Sequence, residues 1–338
     1  MEQTYTGVDI GDSSIKLAVS DGQSVSKVAI EMLPEGLVAD GRIVSHDAMA
    51  DFIKSVVRSI GGVSKDVAFV VPSSDSLFRR LSLPAMTEKE LRLNLPYEFR
   101  DYISQGKDRY VYDYAMLGMR NIADGQPEGM DLLAVAAPKQ AIADYTEMFR
   151  RAGLKLKVAL PEQAAYQNLV GGNPRALANC CVIDFSHHMT KLHFFLDGAY
   201  DVARVIEIGG IDIDRAIANE YGVDEALPTS TSAPTTRAQP SRPPARCTSP
   251  SRLKSGALNF YGFNNPDAVI EVAYCCGGGL LDPLVEAVAA HVDLRVSSIV
   301  DVLPPMSAPL GEALRCPVAI GATRRRGGSH GFEAGGCR

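Results

Sequence analysis

The sequence predicts an α/β protein of two lobes, with a smaller α+β subdomain inserted into the first. Three observations carry that prediction. Residues 7–19 run as two alternating apolar stretches joined by a polar turn, with Asp9 entering the turn and Gly11 inside it. Residues 180–195 repeat the arrangement: a strand ending in an acid, Asp184, then a small polar turn and a second strand. Between the two hairpins, residues 73–159 set out strand, helix, strand, strand, helix and strand, an order that suits a separate α+β unit.

The whole-chain numbers bound the rest. A chain of 338 residues accommodates about two domains. Its 46% hydrophobic and 22% charged content is ordinary for a globular protein. A formal charge of -6 disfavours a nucleic-acid surface, so no nucleic-acid partner is expected, and it leaves room for a small anionic ligand held by local donors. Of the cysteines, Cys180 and Cys181, and Cys275 and Cys276, form adjacent pairs in apolar context without zinc-ligand spacing, which favours buried reduced thiols over metal or disulfide. The first residues lack a signal-peptide pattern, and no apolar run reaches the ~18 residues of a spanning helix. A cytoplasmic location without a direct membrane span is the expectation.

Taken in order, residues 24–30 continue the first hairpin as a third strand, and residues 33–43 are a connection punctuated by Pro and Gly. Residues 45–60 read as a helix capped by Ser45 or Asp47, with Met49, Phe52, Ile53, Val56, Val57 and Ile60 on its apolar face and Gly61 and Gly62 ending it. Residues 67–71 are a buried strand. Within the insert, residues 77–83, 111–117, 132–137 and 156–160 are strands. Residues 87–102 are a helix with a Thr87 and Glu90 capping box that Pro96 kinks or interrupts, and residues 140–152 are a second helix. Residues 162–169 return to the first lobe as a helix.

The second lobe opens with the hairpin at 182–196 and continues through a strand at 203–207. Gly209 and Gly210 then form a turn that is a ligand loop or a plain structural turn, and Asp212 caps the helix that runs to Tyr221. Residues 228–255 are mostly Pro, Ser and Thr, with no acid and Leu253 as the one large apolar residue, so disorder is expected there. Residues 269–274 are a strand leading into Gly277, Gly278 and Gly279, and residues 280–291 are a helix. That geometry suits a ligand against bare backbone or an ordinary flexible turn. A strand at 296–300, a helix or strand start at 317–323 and a Gly- and Arg-rich frayed tail at 324–338 close the chain.

The chemistry sits in the two hairpin turns. Gly11 permits unusual backbone geometry, Asp12, Ser13 and Ser14 add donors and acceptors, and successive amides in such a turn form a nest for phosphate oxygens. An acid at the strand end, such as Asp9 or Asp184, can hold a divalent cation through water. A single copy reads more readily as a plain hairpin. Two copies, one opening each half, suggest a duplicated fold with a nucleotide clamped between the halves.

The stretches DIGDSSIKL, LPEGLVADGRI, RRLSLPAMTEKEL, LLAVAAPKQAIADYTEMFRRAGL, VIDFSHHMTKLHFF, IGGIDIDRAI and CCGGGLLDPL, in this order, resemble the PilM family, cytoplasmic actin-like proteins of type IV pilus assembly. The chain is similar, more distantly, to the FtsA family of bacterial division proteins. The likeness covers about residues 5–225 and 257–323. It implies an actin-like, ribonuclease H-like fold: a first lobe of residues 1–72 and 160–176, an inserted subdomain at 73–159, and a second lobe at 177–323 interrupted by 228–255.

The likeness also implies that ATP with magnesium is the cofactor. The first phosphate loop would be Asp9, Gly11, Asp12, Ser13 and Ser14 with Lys16, and the second Asp184, Ser186 and Thr190. Asp9 and Asp184 would face the metal, Gly209 and Gly210 would form the turn beside the nucleotide, and Gly277, Gly278 and Gly279 the adenosine-side loop. The implied partners are the cytoplasmic N-terminal peptide of a PilN-like membrane protein, bound in a nucleotide-dependent way near the insert, and other pilus assembly proteins. The protein would then be peripheral at the inner face of the cell membrane and at most a slow ATPase. In the second loop, Phe185, His187 and His188 replace small residues and are expected to crowd a phosphate. Residues 228–255 and 324–338 read like sequence out of frame. The competing readings are an actin-like-fold kinase of a small sugar or carboxylic acid, with Asp212 or Asp214 as base, and an FtsA-like division protein, for which no C-terminal amphipathic helix is visible.

Overall fold

A computed structural model describes residues 3–121, 127–221, 261, 269–290, 292–324 and 332–333. The chain divides into two compact units, Met1–Leu169 with Leu303–Arg338, and Val170–Val302.

The first unit starts as an antiparallel meander of β1 (Tyr5–Ile10), β2 (Ser14–Ser20) and β3 (Val25–Met32). The connection punctuated by Pro and Gly contains a small hairpin, β4 (Val38–Ala39) and β5 (Arg42–Ile43). Asp40 and Gly41 turn it with φ of 50° and 69°, the left-handed pair that a two-residue turn requires. Helix α1 (His46–Ile60) is capped by the Ser45 side chain, which accepts from the Ala48 amide. It is followed by β6 (Asp66–Val70), which lies parallel to β1.

The inserted sheet consists of β7 (Leu77–Pro84), β8 (Tyr110–Asn121) and β9 (Pro127–Pro138) in the order β7-β9-β8, all antiparallel. Helix α2 (Glu88–Glu98) begins with the expected reciprocal capping box of Thr87 and Glu90. Its Leu91 and Leu95 pack on Leu81, Tyr114, Leu132 and Ala134, burying one face of the sheet. The helix stops at Glu98, short of the expected residue 102, with Pro96 in its last turn.

Helix α3 (Lys139–Arg151) and β10 (Lys155–Leu160) correct the expected insert boundary. Strand β10 pairs parallel with β6, so it extends the first unit's sheet. Ile142, Tyr145, Met148 and Phe149 of α3 share one core with Met49, Ile53 and Val56 of α1 and with Val8, Leu17 and Phe69 of the sheet. Helix α4 (Glu162–Val170) follows as expected.

In the second unit, β11 (Cys180–Phe185), β12 (Thr190–Leu196) and β13 (Ala199–Ile206) again form an antiparallel meander. Asp197 and Gly198, with φ of 52° and 73°, make its second turn. Helix α5 (Gly210–Tyr221), β14 (Val272–Cys276), α6 (Asp282–Ala289) and β15 (Arg295–Ser298) complete it, with β14 parallel to both β11 and β15. Ile213 of α5 and Leu284 and Val288 of α6 bury the face that carries Cys181, Ile183, Phe185 and Phe194. The sheet order β13-β12-β11-β14-β15 reproduces β3-β2-β1-β6-β10 strand for strand, with the same directions. The fold is a duplication. Residues 228–255 lie outside the described residues.

The chain then returns to the first unit, contrary to the expectation that residues up to 323 stay with the second lobe. The Val25 amide donates to the Pro305 carbonyl at 2.9 Å. Beyond α7 (Leu310–Ala313), helix α8 (Pro317–Thr323) packs so closely on β1 that a Cβ at Gly7 would overlap the Ala319 carbonyl oxygen. On its other side, a Cβ at Gly321 would overlap the Ala165 carbonyl oxygen, and Asn168 Nδ2 donates to the Gly321 carbonyl at 3.1 Å. Of the expected tail, β16 (Phe332–Glu333) pairs antiparallel with Ala159 and Val158 of β10. No helix among the described residues is long and apolar enough to cross a membrane.

Candidate functional site

The two hairpins match in more than topology. In the first, the Gly11 amide donates to the Ser14 carbonyl at 3.0 Å, closing the turn two residues after the acid. In the second, the Ser186 amide donates to the Met189 carbonyl at 3.0 Å, two residues after Asp184. Asp9 stands directly across from Lys16 in the β1–β2 register, and Asp184 directly across from Lys191 in the β11–β12 register. Lys16 Nζ lies 3.3 Å from Asp9 Oδ2, and each side chain is only 16% exposed, so the pair interacts through less water than a surface ion pair does.

Around the first turn, the Leu33 amide donates to the Ser13 carbonyl at 2.9 Å, which ties the turn to the end of β3. Asp12 reaches towards the β4–β5 turn, where a Cβ at Gly41 would lie 4.0 Å from its Oδ1. Asp9, Gly11, Asp12, Ser13, Ser14 and Lys16 thus form one polar edge of the first unit.

The second turn draws three expected loops to one place. Ser186 Oγ donates to Asp184 Oδ1 at 3.2 Å, and Thr190 Oγ1 donates to the Ile208 carbonyl at 2.8 Å. The Gly279 amide donates to the Phe185 carbonyl at 2.7 Å, Gly210 to Ser186 at 3.0 Å, and Ile211 to His187 at 2.9 Å. Close approach explains the glycines. A Cβ at Gly209 would overlap the His187 carbonyl, and one at Gly277, whose φ is 105°, would overlap Asp184 Oδ1. Gly278 differs, since a Cβ there meets nothing within 4 Å.

These bonds refine the expected roles. The first amides of α5 go to the hairpin's own carbonyls, so Gly209 and Gly210 brace the turn from behind. Asp212 lies within the first turn of α5 and its carboxylate accepts from the Gly209 amide at 3.0 Å, so it acts from inside the helix rather than as the cap residue. The expected crowding by Phe185 does not arise, because its side chain is buried in the second unit's core beside Ile183 and Ile213. His188 is exposed, and its ring meets the partly buried His187 ring edge to face at 4.5 Å.

In each hairpin taken by itself the donor set suits a phosphate with a divalent cation: a carboxylate at the strand end, hydroxyls two to six residues later, a half-buried lysine and glycine backbone. Among the described residues no three His, Cys, Asp or Glu side chains gather as a self-contained metal site, so a cation here would complete its shell with phosphate and water. The described cysteines Cys180, Cys181, Cys275, Cys276 and Cys316 are buried, as expected, and none of them is in a disulfide. Lys191 lies outside the site residues that the sequence motifs mark. Its signal was available in the spacing, seven residues after the acid in both hairpins, and becomes meaningful once the register shows that this spacing places the two side chains opposite each other.

No curated protein matches this chain by sequence. Among solved structures, the chain is similar to a PilM-PilN type IV pilus biogenesis complex at 21% identity and a TM-score of 0.72, covering 96% of this chain and 98% of that one. It is similar to the ethanolamine utilization protein EutJ from Carboxydothermus hydrogenoformans at 15% identity and a TM-score of 0.56, covering 95% and 90%. These likenesses place the fold among the actin-like α/β folds. A family model described as type IV pilus assembly protein PilM matches residues 7–308, nearly the whole chain, and the protein therefore belongs to the PilM family of type IV pilus assembly proteins.

Proposed function

We propose that this protein binds ATP with magnesium through its paired hairpin loops and, in a nucleotide-dependent way, grips the cytoplasmic N-terminal peptide of a PilN-like membrane protein during pilus assembly. The observation that carries the nucleotide reading is the duplicated turn: an acid, a closed polar turn and a lysine opposite the acid, at the same place in both sheets. In each hairpin the acid at the strand end, Asp9 or Asp184, would hold a cation through water. The turns with Ser13, Ser14, Ser186 and Thr190 would face phosphate, and Gly278 offers open backbone for the nucleoside. A bound nucleotide with different affinity for two arrangements of the chain couples to a second ligand by linkage. The partner reading rests on membership of the family and on likeness to a structure whose title names a PilM-PilN complex. It also makes the protein cytoplasmic and peripheral at the inner membrane face.

Calorimetric titration of the full chain with Mg-ATP, alone and in the presence of a synthetic peptide from the N-terminus of the cognate PilN-like protein, tests both parts. Binding of each ligand and a shift in one affinity caused by the other is the expected result. Absence of Mg-ATP binding removes the nucleotide role, and peptide binding that ignores nucleotide removes the coupling.

A further inference from the structure

The duplication extends to a residue that the phosphate-loop reading leaves unused. Lys16 and Lys191 occupy equivalent positions, each directly opposite the acid of its hairpin. Side chains at directly opposed positions of an antiparallel pair leave the same face of the sheet with their Cβ atoms roughly 5 Å apart. Asp184 is buried and Lys191 half-buried, and Thr190 beside Lys191 is fixed by its bond to Ile208. The lysine therefore stands at the mouth of the turn that Ser186, Gly210 and Gly279 brace. An acid and a lysine at one turn balance each other; a phosphate with its cation meets both charges, the cation at the carboxylate and the phosphate oxygens at the ammonium.

We propose that Lys191 is a phosphate-binding residue of the second unit, the counterpart of Lys16 in the first. This rests on the nucleotide reading above. The alternative is a lysine that only pairs with Asp184 across the strands, and the two roles separate experimentally.

Lys191→Met, Lys191→Gln and Lys191→Arg are compared with the wild-type chain and with Lys157→Met, at an exposed position on β10. Mg-ATP affinity is measured by calorimetry over a range of salt concentrations, and thermal melting is measured without ligand. Loss of a charge-assisted contact predicts Mg-ATP affinity about ten- to a hundredfold lower in Lys191→Met and Lys191→Gln, with near wild-type affinity in Lys191→Arg and Lys157→Met. The dependence of affinity on salt should also become shallower in the two neutral variants. If Lys191→Met folds poorly, Lys191→Gln carries the comparison. Variants that melt earlier but bind Mg-ATP as tightly as wild type would show a cross-strand structural role and overturn the proposal. Failure of the wild-type chain itself to bind Mg-ATP is a different result, which overturns the nucleotide reading and this assignment with it.

Discussion

Gly277 shows how much a single residue constrains this protein. Its φ of 105° is one that other residues resist, and a Cβ on it would overlap Asp184 Oδ1 and the Phe185 carbonyl. Gly277→Ala is expected to cost roughly 1–3 kcal/mol, seen as a lower melting temperature, and to disturb Asp184 itself. A melting temperature equal to wild type would refute the close approach. The cysteines supply a pH prediction. Burial pushes the Cys180, Cys275 and Cys316 thiols up to about 12 and the Cys181 thiol well above its usual value. The folded state keeps these protons where the unfolded chain releases them, so stability is fully present below the unfolded thiol value near 9 and is lost as pH rises above it. Chemical denaturation at neutral pH and at progressively alkaline pH should therefore show a falling unfolding free energy. The decline should be smaller in Cys275→Ala once its neutral-pH cost is subtracted. The same burial predicts that native Cys180, Cys181, Cys275, Cys276 and Cys316 resist thiol-labelling reagents at neutral pH, as peptide mass mapping would show.

At the scale of elements, α3 decides where the insert ends. It follows the inserted sheet directly, yet its apolar face lies in the core shared by α1 and the sheet of β1, β2 and β6, which Val135 and Ala137 of β9 also join. Phe149 is fully buried, edge to face with Phe69 at 5.1 Å, and Tyr145, donating to Asp75, lies against the same Phe69 ring at 4.8 Å. Arg151 of α3 also pairs with Asp47 in the first turn of α1. Phe149→Ala is expected to cost about 3–5 kcal/mol and to expose the first unit to proteolysis, whereas Leu91→Ala should loosen the inserted subdomain. Limited proteolysis with mass mapping separates these outcomes. Deleting residues 73–159 as if they were a self-contained insert would remove α3 and β10 and unravel the first unit's sheet. Helix α2 makes the opposite point, because its capping box was legible in Thr87 and Glu90 and is present as read.

At the scale of the whole molecule, ligand linkage tests the proposed function. Saturating Mg-ATP should raise the melting temperature of the wild-type chain, with ligand at 100 times its dissociation constant worth about 2.7 kcal/mol, and Asp9→Ala should reduce that gain. An equal gain in Asp9→Ala would place Asp9 outside the site. The sequence by itself determined the local elements: alternation marked the strands, Ser45 and Thr87 marked helix starts, and two acid-tipped turns marked the duplication. Each of these rests on interactions within a few residues, which composition and spacing record. Only the tertiary structure decided which sheet owns β10, that residues 303–324 return to the first unit, that the glycines at 209, 210 and 279 brace a turn, and that Phe185 turns inward. Those outcomes depend on partners up to hundreds of residues away along the chain, such as Gly7 with Ala319, and burial chooses such partners only once the whole sheet exists.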